Sequence, residues 1–192
     1  MTAILQYNAG NIASVKNALD RLGAESVVTS DPAQVLAADR LIIPGVGEAG
    51  SAMNWLRERE LDLLIRNYKK PVLGICLGLQ LLCQASEEGN TTCIGVFDNT
   101  VRLFPSTDII PHMGWNNLSA LKGELFNGIE ESDNFYFVHS YYADVTAETA
   151  ATTDYILPFS AALQVNNFYA TQFHPEKSAE AGERILKNFL AL

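Results

Sequence analysis

Three side chains in this 192-residue chain have the types and settings of a nucleophile, its base and the base's orienter: Cys76, His174 and Glu176. Cys76 sits in Pro71-Val72-Leu73-Gly74-Ile75-Cys76-Leu77-Gly78-Leu79-Gln80-Leu81-Leu82. An apolar run after a proline, then a cysteine between glycines, then a leucine-rich pattern predicts strand, tight turn and helix, with the cysteine on the turn. Gly74-x-Cys76-x-Gly78 is the thiol form of the Gly-x-Ser-x-Gly nucleophile elbow, where glycines relieve crowding around a strained residue. A thiol at a helix N-terminus meets unpaired N–H groups and the positive end of the dipole, and both favour the thiolate. A buried core cysteine in a strand–helix corner leaves the same local pattern. His174-Pro175-Glu176 follows the strand-like Phe168-Tyr169-Ala170-Thr171-Gln172-Phe173. In extended backbone, residues two apart face the same way, so Glu176 reaches an imidazole nitrogen of His174. A histidine so held takes a proton from a thiol and returns it to a leaving amine. Taken alone, His-Pro-Glu reads more readily as a surface turn. Both motifs fall at the carboxyl ends of predicted strands, and that shared location favours the catalytic reading.

The elements that must position these groups alternate. Thr2–Tyr7 reads as a strand and Asn8-Ala9-Gly10-Asn11 as a turn; Ile12, Val15, Leu19 and Leu22 then recur at helical spacing until Gly23. Asn11 suits the cap of that helix. Further strands are predicted at 24–29 and 40–43, with a short helix at 33–38 between them and a broken helix from Met53 to Ile65. Pro44-Gly45-Val46-Gly47 closes the third strand. Its glycines suit close approach of backbone to a ligand. This β-α-β-α-β-α-β-α order predicts a parallel sheet with helices on both faces and ligands at the strand ends. From Gly89 to Ala150 the character changes. Short strands are expected around Val96, Val101, Leu103 and Phe104, a loop at Pro111-His112-Met113-Gly114-Trp115-Asn116, one helical turn at 124–129 and one strand at 135–142. Strands at 150–155, 160–165 and 167–172 and a C-terminal helix carrying Ala181, Ile185, Phe189 and Leu190 complete an antiparallel or mixed second half. No linker or repeat is visible, so residues 1–192 are expected to form one α/β domain. Two oxyanion donors follow from the elbow: the N–H of Leu77 and an amide of the Gly45-Val46-Gly47 loop.

Composition excludes several classes. Hydrophobic residues at 48% and charged residues at 18% suit a folded globular chain. A net charge of −9 without a basic stripe argues against nucleic acid. No apolar run spans a bilayer, and the N-terminal residues lack a secretory signal, so no membrane association is expected. Three cysteines at irregular spacing form no disulfide framework and no zinc motif; no metal or cofactor is expected, and a reducing cytoplasm is the simplest location.

Gly74-Ile75-Cys76-Leu77-Gly78-x-Gln80 with His174-Pro175-Glu176 resembles the class I triad glutamine amidotransferases. Within them, Ala9-Gly10-Asn11-Ile12-x-Ser14-Val15, Pro44-Gly45-Val46-Gly47, Pro111 to Asn116, Tyr136-Phe137-Val138-His139-Ser140-Tyr141 and His174-Pro175-Glu176-Lys177-Ser178 resemble the family of glutaminase subunits of imidazole glycerol phosphate synthase. The resemblance runs the whole length. Gln6-Tyr7-Asn8 departs from it, standing where that family more often has Asp-Tyr-Gly. The resemblance implies an open, mainly parallel, flavodoxin-like sheet. It implies hydrolysis of glutamine to glutamate and ammonia, with Cys76 attacking, His174 shuttling protons and Glu176 orienting it. Leu77, Val46 and Gly47 would bound the oxyanion hole, and Gly47, Gln80, Glu88, Ser140 and Tyr141 would hold glutamine. Asn11, Trp115, Tyr136 and Lys177 would face a partner cyclase, a (β/α)8 barrel in a heterodimer that uses the ammonia to make imidazole glycerol phosphate and an aminoimidazole carboxamide ribonucleotide in histidine biosynthesis.

The glycines around Val46 also allow the loop to rest with a carbonyl toward the oxyanion, to be turned by the partner and the cyclase ligand. The runner-up is the glutaminase subunit of pyridoxal phosphate synthase, disfavoured by Pro-Gly-Val-Gly and His-Met-Gly-Trp-Asn. A cysteine peptidase leaves the glutamine-site matches unexplained, and a non-catalytic regulatory subunit leaves the intact triad unexplained.

Overall fold

The computed structural model describes residues 1–8 and 10–192; Ala9, in the predicted first turn, lies outside the described residues. In chain order the elements are β1 (Thr2–Leu5), α1 (Ile12–Arg21), β2 (Ser26–Thr29), α2 (Pro32–Ala37), β3 (Arg40–Ile43), α3 (Ala49–Arg57), α4 (Leu61–Arg66), β4 (Val72–Ile75) and α5 (Leu77–Leu82). There follow β5 (Ala85–Ser86), β6 (Thr91–Thr92), β7 (Thr100–Leu103), β8 (His112–Asn117), β9 (Asn134–His139), β10 (Tyr141–Ala143), β11 (Thr149–Tyr155), β12 (Leu157–Val165), β13 (Phe168–Thr171) and α6 (Ala179–Leu190).

The strands β2-β1-β3-β4-β13 form a parallel half-sheet, and β12, β10, β7, β5 and β6 continue it in mixed order with β11 beside β12. Alternate residues of the parallel strands feed two cores. Ala3, Leu5, Leu41, Ile43 and Val72 face one cluster with Leu56, Leu61 and Ile65 from α3 and α4. Ile4, Ile42, Leu73 and Ile75 face the other with Val15 and Leu19 of α1 and Ile185 and Phe189 of α6. Strands buried on both faces carry no polar side chain, as in β4, because helices cover both sides of a parallel sheet. The expected α/β architecture, parallel first and mixed afterwards, is the one observed.

Four local expectations need correction. Pro111–Asn116 is not a loop: 112–117 is strand β8, paired antiparallel with β9 in a separate two-stranded sheet. Its residues lack β-branching, and pairing with β9 overrides propensity. The single strand expected at 135–142 breaks at Ser140, so that β9 joins β8 while β10 joins β7 and β12. Val96 lies in a bend, whereas the two-residue strands β5 and β6 were too short to leave a pattern. Asn11 makes no cap bond to α1; its backbone is left-handed at φ 73° and its side chain points elsewhere, as shown below.

Candidate active site

The elbow is built by close packing. Cys76 joins β4 to α5 with φ 53° and ψ −104°, a backbone that costs about 1–3 kcal/mol and persists only where neighbours hold it. Its N–H donates to Thr171 O of the adjacent β13 at 2.7 Å. Gly78 lets α5 press against β3: a Cβ there would stand 2.0 Å from the Ile43 carbonyl oxygen. Cys76 itself is buried, and lines one wall of a cavity of about 160 Å³ with Val46, Gly47, Leu77, Gln80, Glu88 and Tyr141. Val138, His139 and Ser140 complete that lining, which suits a ligand of amino-acid size better than a cofactor.

His174 enters from the far side of the same strand ends. It is fully buried, and its N–H donates to Tyr136 O of β9 at 2.9 Å. Its Nδ1 meets Glu176 Oε1 at 2.8 Å. The reach expected between these residues is present, but its backbone reason is different: Pro175–Lys177 is a 3-10 turn rather than extended chain. The other ring nitrogen, Nε2, is buried without a protein hydrogen bond among the described residues. Burial disfavours the imidazolium, but the negative charge of Cys76 and the Glu176 carboxylate outweigh it and push His174 up to about 10. The histidine is thereby held as an acid beside a sulfur that can be an anion.

Asn11 donates from Nδ2 to Glu176 Oε1 at 2.5 Å, the same oxygen that faces His174 Nδ1. Trp115 lies opposite Tyr136 in the β8–β9 ladder, with the rings edge-on at 5.9 Å. Lys177 Nζ lies 5.8 Å from the Tyr136 ring, which in turn lies 6.4 Å from the His174 ring. These four residues thus gather behind the histidine, and none lines the cavity. Trp115 and Met113 are 56% and 64% exposed, an apolar surface beside the catalytic candidates.

In the candidate oxyanion loop, three successive carbonyls are each occupied. Tyr7 Oη donates to Pro44 O at 2.5 Å, Leu77 N–H to Gly45 O at 3.3 Å and Gly10 N–H to Val46 O at 3.0 Å. The expected donor Leu77 N–H is therefore engaged by the loop's own carbonyl in this conformation. Glu88 is half-buried on a 3-10 turn and accepts from Ala49 N–H at 2.7 Å. Burial raises its carboxyl, against the lowering effect of that bond and with a further push from Glu48. Gln80 has spent Nε2 on Tyr141 O at 3.2 Å and Gln172 Oε1 at 3.1 Å.

Sequence reasoning missed Tyr7, Gln172 and a pair of buried histidines. His139 Nδ1 meets the Tyr141 carbonyl at 2.7 Å, and a carbonyl only accepts, so Nδ1 carries the proton. His139 Nε2 then accepts from His112 Nδ1 at 3.0 Å. Burial pushes His112 down to about 4 and His139 to about 3, so both are neutral. The signal for Gln172 was present: it stands two residues before His174, by the same alternation used for Glu176. Tyr7 and the histidines carried no spacing that would single them out.

The structure thus brings a cysteine on a strand–helix elbow, a buried histidine–carboxylate pair and a small cavity to the strand ends of an α/β sheet. The family model described as glutamine amidotransferase class-I matches residues 3–192, and the chain belongs to that family. Crystal structures show the same fold: a glutamine amidotransferase at TM-score 0.75 and 19% identity, covering 98% of this chain and 97% of that one, and another from Thermotoga maritima at 0.68 and 14%, covering 99% and 82%. Within the family, the chain is 58% identical over 193 residues to the imidazole glycerol phosphate synthase subunit HisH of Bacteroides fragilis, covering 99% of this chain and 98% of the relative. The HisH subunits of Bacteroides thetaiotaomicron and Vibrio cholerae are 55% and 48% identical, each covered at 97% or more. Its place in the family is with these HisH subunits. No helix among the described residues is long and apolar enough to cross a membrane.

Proposed function

We propose that this amidotransferase acts as one domain over residues 1–192, hydrolysing glutamine to glutamate and ammonia for a partner cyclase. The carrying observation is the Cys76 elbow in the wall of a small cavity, with its charge acting on the His174 ring, which Glu176 holds from the other nitrogen. The Cys76 thiolate attacks the side-chain amide carbon of glutamine. The His174 imidazolium gives its Nε2 proton to the departing nitrogen, and ammonia leaves as the γ-glutamyl thioester forms. Neutral His174 then takes a proton from water, hydroxide attacks the thioester, and glutamate is released with the thiolate restored. Glu176, steadied by Asn11, fixes the tautomer and orientation of the ring. Gly47, Gln80, Glu88, Ser140 and Tyr141 bind glutamine, the Glu88 carboxylate meeting its ammonium group.

The oxyanion needs donors where this conformation presents the Gly45 carbonyl. Turning the Gly45–Val46 peptide frees Leu77 N–H and offers Val46 N–H in its place, with Gly47 flanking it. The partner, a (β/α)8-barrel cyclase in a heterodimer, docks on Asn11, Trp115, Tyr136 and Lys177 and drives that turn. It uses the ammonia to form imidazole glycerol phosphate and an aminoimidazole carboxamide ribonucleotide in histidine biosynthesis, in the cytoplasm. The similarity to imidazole glycerol phosphate synthase HisH subunits and the exposed Trp115 beside the triad support this reading. The test is glutamate release by the isolated chain and by the reconstituted pair with cyclase ligand. A large rise in the pair is expected; equal rates sink the switching step, and no release from the pair overturns the function.

A further inference from the structure

We propose that Gln172 is a catalytic residue, its side-chain amide donating to the Cys76 sulfur to hold it as an aligned thiolate, and that Gln80 is the positioning residue that fixes that amide. The inference rests on Cys76 being the nucleophile proposed above.

Gln172 lies just past β13 and is completely buried. Its Nε2 stands 3.5 Å from Cys76 Sγ. The direction of this contact follows from a chain of partners. The Tyr141 carbonyl can only accept, so Gln80 must turn its amide nitrogen toward it. That same nitrogen lies 3.1 Å from Gln172, so the facing atom of Gln172 must be its oxygen. The nitrogen of Gln172 is left facing the sulfur, and reversing either amide would set donor against donor or acceptor against acceptor. Tyr141 O is itself fixed, because it also accepts from His139 Nδ1.

The sulfur's other backbone neighbour makes the role specific. Val138 O lies 3.8 Å from Sγ. A carbonyl oxygen accepts from a thiol and repels a thiolate, whereas an amide N–H does the reverse. Gln172 therefore sets the balance at Cys76 against Val138. The titratable groups that act on Cys76 from other elements are His174 and Tyr7, and Glu88 faces it across the cavity. The role is assigned to Gln172 by these contacts, and substitution there leaves the other groups in place.

The test is the pH dependence of Cys76 alkylation by iodoacetamide in the full chain, followed by mass spectrometry of the Cys76 peptide. Cys83 and Cys93 are buried with raised thiols and are resolved on their own peptides. Gln172→Leu removes the donor. Its alkylation midpoint is expected to rise by about one pH unit, so that below the midpoint alkylation slows about tenfold. Gln172→Glu is nearly isosteric and still accepts from Gln80, so it keeps the packing while placing a charge against the sulfur; its midpoint rises further. In the reconstituted pair, both variants lower kcat for glutamate release with little change in KM, and the loss shrinks as pH is raised through the alkylation midpoint. Should the leucine variant not fold, the glutamate variant decides alone. A folded variant whose alkylation profile overlays that of the wild type overturns the inference. Glutamate release by the wild-type pair tests the nucleophile assignment separately, since alkylation midpoints shift with Gln172 whether or not glutamine is the substrate.

Discussion

The chain has three histidines, and the structure predicts that none titrates near pH 6.5. His112 and His139 are buried as a neutral pair, whereas His174 is held charged up to about 10. The decisive perturbation is Cys76→Ser, which removes the negative charge beside the ring. Two unit charges about 4 Å apart at an effective dielectric of about 20 interact by about 4 kcal/mol, or roughly three pKa units. Burial, the largest single influence on His174, opposes the charged ring and then meets only Glu176. The His174 midpoint is therefore expected to fall by roughly two to three units in Cys76→Ser, while the other two histidines stay where they are. Ring C2–H signals followed by NMR over pH 4 to 10.5 separate the three residues. A His174 midpoint that Cys76→Ser leaves unchanged refutes the thiolate–imidazolium reading. The stability consequence has a definite sign. Since His174 is raised, its coupling stabilises the fold fully below about pH 6.5, and that contribution is lost as pH rises through about 10.

The depressed pair works at the opposite end. Below pH 6.5 the unfolded chain binds protons that the buried His112 and His139 refuse, so stability falls with pH toward 4, by up to about 1.4 kcal/mol per pH unit for each ring; urea midpoints that are flat from pH 6.5 to 4.5 contradict this. Gly78→Ala forces a methyl 2.0 Å from the Ile43 carbonyl, and a loss of about 3 kcal/mol or outright failure to fold is expected in urea titrations, where a loss below 1 kcal/mol counts against the packing of the elbow. Asn11→Ala removes the donor to Glu176 and is expected to lower kcat about tenfold with KM nearly unchanged in the pair, as one charge-assisted hydrogen bond allows; a change confined to KM contradicts its placement.

Much of this arrangement was legible in the residues, for physical reasons. The parallel half shows because strands buried on both faces, such as Val72–Ile75, must be apolar throughout and must alternate with helices. The elbow shows because a strained cysteine on a strand–helix corner needs small neighbours, and Gly78 has no room for more. Strand β8 was hidden because His112, Gly114 and Asn116 have no intrinsic preference for the form that β9 imposes on them. Asn11 looked like a cap because its type suits one, yet the donor it carries is used by Glu176, a residue far away in sequence. The occupied state of the Pro44–Gly47 carbonyls depends on Tyr7, Gly10 and Leu77 arriving from three separate elements, and no local pattern encodes that meeting.

The most direct measurement is turnover by the reconstituted pair with Cys76→Ala, supplied in turn with glutamine and with ammonium salt. The account predicts that glutamine-dependent turnover disappears while ammonia-dependent turnover stays at the wild-type level. Persistent use of glutamine, or equal loss with both nitrogen sources, would contradict it.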